Sequence, residues 1–499
     1  MNKDLQNFID AIKANPSDKL NYSVLADWLD EKGDARGELI RLNFAMVGDD
    51  GFGFPAVRNY SRGMYEMSKR EDEIVLAIYD QCIEEAGIAP VTPDTIPGCG
   101  NWRFYNGLLS SVRITDSNRA GFFSNVDAIA QKTPVLKFTS DLRSHYTAEE
   151  HAKLATLPIE TLVIKQDVLG RTNGLQSFEQ FTHLKTVFLE GRAFSGADLP
   201  QILAAPNLTG VHLKNLWSLN DDHLQAFTNN KKIQHLSLPG GAGLGHITHH
   251  GLAHLAGLPL KSLNLSKQRI GGNEAAAITS FQDLEELVLH QCQMETLPLT
   301  MMTQNLPRLK ALGIARNNFG PAASALNWVD AVLHLKGLEE LNVADNSLGN
   351  RTFGEKLTQL TKLRFLDVTS TRISNNTDHI IPYFAHFPEL AFLEASRAVF
   401  PIDNKMEAVA QFMDMIRDGT LSHFVHLPIH VKEADSDLYD PSKLIEMHKA
   451  REASAPLSGG EKVEPDAPKQ KWQDRVSDFK PNRKLTRKIS SEGPTGMAL

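Results

Sequence analysis

Cysteine is scarce in this 499-residue chain: Cys82, Cys99 and Cys292 are an odd count, far apart, with no CxxC pair. That excludes a disulfide framework and a cysteine-based zinc site, and it fits a reducing compartment. Long hydrophobic runs are missing too; nothing approaches the roughly 18 uninterrupted apolar residues of a membrane span. The opening MNKDLQNFIDAIKANP has no basic stretch followed by an apolar core, so no cleavable secretory signal is expected. A cytoplasmic location is expected, with secretion that needs no cleavable signal peptide as the alternative. Positive charge is not in surplus: 52 Lys and Arg face 60 Asp and Glu, for a net charge of −8. This argues against nucleic-acid binding by the chain as a whole. HExxH, GxGxxG, the phosphate-loop Gly-Lys-Ser/Thr and the calcium-loop DxDxDG are all absent. No catalytic residue and no cofactor is therefore expected.

What is present is a repeat. Apolar residues recur in the pattern apolar-x-x-apolar-x-apolar, with first positions Ile159, Leu184, Leu208, Ile233, Leu260, Leu284, Leu309, Leu338, Leu363 and Leu390. The steps are 25, 24, 25, 27, 24, 25, 29, 25 and 27 residues. Two weaker units are expected at Leu109 (LSSVRI) and Thr133 (TPVLKF). A near-constant period of this length marks a stack of supersecondary units, each unable to bury its apolar face alone. In several units a polar or small residue follows the last apolar residue by three: Gln268, Cys292, Asn317, Asn346 and Thr371. Such a side chain suits a turn with buried backbone groups, where an unsatisfied group costs about 1–3 kcal/mol.

Over roughly residues 105–400 this pattern resembles the leucine-rich repeat family, in the ribonuclease-inhibitor-like or a related bacterial subclass. The resemblance implies an α/β solenoid, a horseshoe with short strands on the concave side and helical arms on the convex side. Residues 1–46 read as three helices. Leu5, Phe8, Ile9 and Ile12 share a face, Asn15-Pro16 is a break, Ser17 or Asp18 can cap the next helix, Gly33 suits a C-terminal cap and Asp34 an N-cap. Asn15-Pro16, Ala26-Asp27-Trp28-Leu29, Gly33-Asp34 and Arg36-Gly37-Glu38-Leu39 together resemble the bacterial repeat-companion domain that precedes leucine-rich repeats. KLNYSVLADWL departs from that pattern, which has an Arg-Leu-Val-Tyr-like run before Ala-Asp-Trp.

The expected organisation is a small all-α domain at 1–48, and a helical extension and linker at 49–104 with two helices over 56–88. About 12 repeats follow at 105–400, then a C-terminal cap at 401–453 and a disordered tail at 454–499. The tail holds nine Lys/Arg and six Asp/Glu, so it is +3 and the remainder is −11. A monomer is expected.

Strand alternation puts the third and fifth residues of each unit on the concave face. In the late repeats these are Glu340 and Asn342, Phe365 and Asp367, Phe392 and Glu394, with Asp345 just beyond its strand. Two exposed aromatics among acids would suit a protein partner with a basic segment. Earlier repeats present Val163, Phe188, His212, His235 and Asn264, and Ala311 and Gly313 leave a shallow spot. The competing reading is a set of ordinary solvent-facing strand residues. Among other features, His246, His250 and His254 are a weak metal candidate, set against a solvated convex helix. PGGAGLGH reads better as a repeat insertion than as a phosphate loop, and the acids of DWLDEKGDARGE read better as surface caps than as calcium ligands. Lys480, Arg483, Lys484, Arg487 and Lys488 form a basic run suited to nucleic acid or anionic lipid, set against a solvated tail.

The leading expectation is a non-catalytic interaction scaffold. The alternatives are a secreted bacterial effector acting as adaptor or decoy in a host cell, and an enzyme with its site in the N-terminal domain or the His cluster.

Overall fold

The computed structural model describes residues 3–47, 64–85, 102–142, 146–165, 176–191, 196–214, 219–241, 245–317, 319, 328–373, 381–390 and 392–394. Among these, one sheet of thirteen strands runs the length of the molecule in sequence order. β1 (Trp102–Tyr105) and β2 (Leu108–Thr115) form an antiparallel hairpin. Every later strand adds in parallel: β3 (Lys137–Asp141), β4 (Thr161–Lys165), β5 (Thr186–Glu190), β6 (Gly210–Lys214), β7 (His235–Ser237), β8 (Ser262–Asn264), β9 (Glu286–Val288), β10 (Ala311–Gly313), β11 (Glu340–Asn342), β12 (Phe365–Asp367) and β13 (Phe392–Glu394). α-Helices, 3-10 turns and irregular arms make the return crossings. This is an α/β solenoid with leucine-rich repeat geometry. A strand advances about 4.8 Å per repeat while packed helices need 8–10 Å, so the sheet is the concave side.

The register corrects one repeat assignment. Val112, Phe138, Leu162 and Val187 are aligned across β2–β5. The second unit therefore begins at Val135, not Thr133, and Phe138 takes the place of the middle leucine. The shift frees Leu136 for another role. Leu136 and Leu108 point into a separate core with Leu5, Ile9, Ile12, Tyr22, Leu25, Ala26, Leu29 and Ile40. The three N-terminal helices α1 (Lys3–Ala14), α2 (Lys19–Glu31) and α3 (Arg36–Val47) thus dock along the edge where the first strands begin. Polar contacts follow the same edge: Lys13 Nζ donates to the Gln131 carbonyl at 2.7 Å, and Ser17 Oγ donates to the Glu160 carboxylate.

The local signals behind these helices act as expected. The Asp18 carboxylate accepts from Leu20 N–H to cap α2, Gly33 takes φ +68° after it, and Asp34 accepts from Arg36 N–H to open α3. Asn106 and Gly107, with φ of 51° and 74°, make the tight β1–β2 turn. A Cβ on Gly107 would sit 2.4 Å from Ile40 Cα, so only glycine lets α3 approach this turn.

The solenoid's first coil is closed by a different element. Among the described residues of the 56–88 stretch, where two helices were expected, 64–85 form one helix, α4 (Met64–Glu85). Its Ile74, Ile78, Cys82 and Ile83 join Trp102, Leu109 and Val112 in the continuous repeat core. Arg36 ties the two helical parts together, bonding Asp34 at 2.5 Å and Glu85 at 2.8 Å. No described helix is long and apolar enough to cross a membrane. The expected C-terminal cap and tail, 401–499, lie outside the described residues.

Candidate functional site

The concave face is built from the non-core positions of each strand. At its early end Lys137 lies on β3, its ammonium pulled below the usual lysine range by burial and by the neighbouring charges of Arg103 and Lys165. Val163 on β4 is half-buried. Phe188 on β5 and His212 on β6 are paired neighbours whose rings stack at 4.3 Å and 12°. His235 follows on β7, buried. Burial holds both imidazoles neutral, His212 pushed down to about 3 and His235 to about 4.

The late end is acidic. Glu286 accepts from Ser262 Oγ at 2.7 Å, and Asp345 pairs with Arg316 at 2.8 Å. Glu340, Phe365 and Phe392 are aligned across β11–β13, as are Asn342, Asp367 and Glu394. The structure therefore brings the sequence-derived residues onto one surface, with Asp345 exposed at its rim.

Their environments differ from the expectation in three places. Phe365 is not an exposed aromatic: it is 1% exposed, packed with Val288 and Ala311 in a cluster apart from the repeat core. Asn342 and Asp367 are also buried and already employed. Asn342 Oδ1 accepts from Ala344 N–H at 3.1 Å, and Asp367 Oδ1 accepts from Thr369 N–H at 2.9 Å. Asn264 makes the same bond to Ser266 N–H at 2.9 Å. A short polar side chain at the strand end accepts from the backbone two residues on and starts the turn. Burial raises the Asp367 carboxyl above the usual carboxylate range, opposed by its bond to Thr369. Of the seven expected contact residues, Glu340 and Asp345 keep exposed side-chain surface; the side chains of Phe392 and Glu394 lie outside the described residues.

His290 on this surface escaped the strand-position analysis, because it comes one residue after the final apolar position of its unit. Its Nδ1 accepts from Ala315 N–H at 2.9 Å, and burial pushes its pKa down to about 4. The expected shallow spot at Gly313 is where this ring sits: a Cβ there would come 2.7 Å from His290 Cε1. A histidine beside a glycine one repeat later is the signal that marks it.

Other candidates resolve into structural roles. His246 and His250 are exposed, and His249 bonds Glu274 at 3.3 Å. The described residues contain no group of three His, Cys, Asp or Glu placed to share a metal ion. Gly240 and Gly245 permit close stacking on the next coil, since a Cβ at either would overlap the Lys267 carbonyl or the Gln268 amide. Asp27 and Asp30 both pair with Arg41. Cys292 is buried, its Sγ donating to the Leu265 carbonyl at 3.2 Å, and burial pushes its thiol up to about 12. The basic run at 480–488 lies outside the described residues.

No family model matches the sequence, and no curated protein matches it. Among solved structures the chain is similar to "Crystal structure of TLR13-ssRNA13 complex", with 17% identity and a TM-score of 0.35. That match covers 57% of this chain, which spans 40% of the other's length.

Proposed function

We propose that the protein is a non-catalytic scaffold that holds a partner protein on the concave face, through the acidic rim of its late strands. The carrying observation is the balance of charges along one continuous sheet: Arg113, Lys137, Lys165 and Lys214 against Asp141 and Glu190 at the early end, and Glu286, Glu340, Asp345 and Glu394 against Arg316 at the late end. Such polarity orients a partner segment and favours a basic stretch over the late repeats. The repeat-companion resemblance of residues 1–48 supports a second docking surface on α1–α3, whose Leu20 and Val24 are exposed. The partner site is thus carried by the acids and not by Phe365, whose burial makes it a packing residue.

A quantitative pull-down from native lysate tests this, comparing wild type with a Glu340→Lys/Asp345→Lys/Glu394→Lys variant. Retained capture of basic proteins by the variant would remove the late rim from the binding site. A partner lost from the variant and unaffected by a Lys19→Glu control would support it, with an expected loss of tenfold or more in affinity.

A further inference from the structure

The concave face matches most of its cations with acids of its own. Arg113 pairs with Asp141, Glu190 lies 2.7 Å from Lys214 and 3.8 Å from Lys165, and Arg316 pairs with Asp345 at 2.8 Å. Two cations at the early corner differ. Among the described residues no carboxylate pairs with Arg103 or Lys137.

The register brings these two together. Arg103 on β1 lies opposite Ser111 on β2, and Ser111 lies opposite Lys137 on β3. Their neighbours Trp102, Val112 and Phe138 enter the repeat core, so all three residues of this row belong to the concave side. From β1 to β3 is two strand steps, about 9.6 Å. Long side chains from both flanks can therefore close on one group held above Ser111. The Ser111 hydroxyl makes no hydrogen bond among the described residues.

Lys137 is half-buried, with its ammonium 5.2 Å from the centre of the Tyr105 ring. Tyr105 is itself fixed, its hydroxyl 3.3 Å from Thr161 Oγ1. The ring face favours a cation. Burial and the nearby charges of Arg103 and Lys165 oppose it and pull the ammonium below the usual lysine range. An anion between Arg103 and Lys137 relieves that repulsion.

The balance of charge selects the anion. Arg103 and Lys137 supply two positive charges with no acid beside them. A phosphate monoester carries about −1.5 to −2 at pH 7 and three strong acceptor oxygens. Those oxygens suit a guanidinium fork, an ammonium and a hydroxyl. A carboxylate or a phosphodiester carries one charge and leaves one cation unmatched.

We propose that Arg103, Ser111 and Lys137 form a binding site for a phosphate dianion, free or as a monoester group of a larger ligand, at the early corner of the concave face. The site is separate from the acidic rim and stands whether or not that rim holds a partner.

The test is isothermal calorimetry on the full-length protein at neutral pH and low salt, with inorganic phosphate, O-phosphoserine and dimethyl phosphate as titrants. Inorganic phosphate is expected to bind at one site, and Arg103→Gln and Lys137→Met are each expected to weaken it at least tenfold. Arg103 is exposed, so its substitution leaves the fold intact. Arg103→Lys should restore most of the affinity, and Lys214→Gln, three strands from Lys137, should keep all of it. Dimethyl phosphate, a monoanion, should bind at least fivefold more weakly. No saturable binding of either dianion, an unchanged affinity in Arg103→Gln, equal binding of dimethyl phosphate, or an equal loss in Lys214→Gln overturns the proposal. The two dianions separate the sources: phosphoserine bound as tightly as inorganic phosphate assigns a monoester group, and inorganic phosphate bound alone assigns the free ion.

Discussion

β3 to β6 are five residues long, whereas β7 to β13 are three, though one repeat period runs through both. In the early coils each strand aligns five residues with its neighbour, and main-chain ladder bonds carry the stack. In the late coils the strand ends after three residues, but main-chain bonds between coils run on into the turn, as from Lys267 N–H to the His290 carbonyl and from Asp345 N–H to the Thr369 carbonyl. Five units turn there through a left-handed residue at the same place, Lys267, Gln291, Arg316, Asp345 and Ser370, with φ between 55° and 60°. The slot residue one place later adds side-chain bonds. Asn317 Nδ2 donates to the Leu289 and Ile314 carbonyls while its Oδ1 accepts from Cys292 and Met294 N–H. Asn346 Nδ2 bonds the Ile314 and Val343 carbonyls, and its Oδ1 accepts from Asn317 N–H. Gln268 likewise accepts from Ile247 N–H and donates to the Leu238 carbonyl, and Thr371 Oγ donates to the Val368 carbonyl. The late coils thus add slot side chains to a backbone ladder that continues into the turn, so single residues there hold buried groups that the ladder leaves unpaired.

The largest expected effect tests those single residues. Asn346→Ala leaves the Val343 carbonyl and Asn317 N–H without this partner and removes one of two donors to the Ile314 carbonyl, for a loss of about 2–4 kcal/mol. Asp141→Ala, at the end of β3, removes only an exposed pair with Arg113 and should cost under about 1 kcal/mol. Urea titration with hydrogen exchange resolved by repeat measures both; equal losses would dissolve the distinction.

Acid comes next. His235 and His290 are buried and neutral, while β3 to β5 contain no histidine. Their folded pKa of about 4 lies below the unfolded value of about 6.5. The unfolded chain therefore binds more protons between these values, and stability present above pH 6.5 falls as pH drops toward 4. At pH 5.5 the cost is about 1.4 kcal/mol for each, roughly 3 kcal/mol together. Asp367 acts in the opposite sense, since its raised carboxyl makes ionisation costly as pH rises. Exchange protection should fade in β7–β10 before β3–β5 on acidification, and His235→Gln/His290→Gln should flatten that slope.

The smallest effect has opposite signs in the two halves. Gln291→Gly relieves a left-handed backbone and should stabilise by up to about 1 kcal/mol. Thr139→Gly, inside β3, should destabilise by about 1 kcal/mol through lost strand packing and added chain entropy. Thermal midpoints moving in the same direction for both would show that the turn residue is not strained.

Much of this was legible in the residues. The apolar period gave the order of strands β4–β13, the slot gave the buried turn polar groups, and the Asp18, Gly33 and Asp34 caps delimited α2 and α3. The Val135 register was not legible, because TPVLKF fits the apolar template two residues early, and only alignment of Phe138 with Leu162 and Val112 decides it. The candidate face was placed by alternation, but its exposure was not. Alternation says which way a side chain points, whereas exposure depends on what else arrives there. Phe365 points outward and is buried; Asn342 and Asp367 point outward and are bound to their own turns.

By itself the sequence determined the repeat, its strand order and its concave positions, because period and alternation are local properties enforced at every coil. Only the tertiary structure decided that α4 closes the first coil, that α1–α3 sit on the strand-entry edge through Leu108 and Leu136, and that the late aromatic Phe365 is buried with Val288 and Ala311. Those outcomes depend on contacts between segments far apart in the chain, which no local spacing encodes.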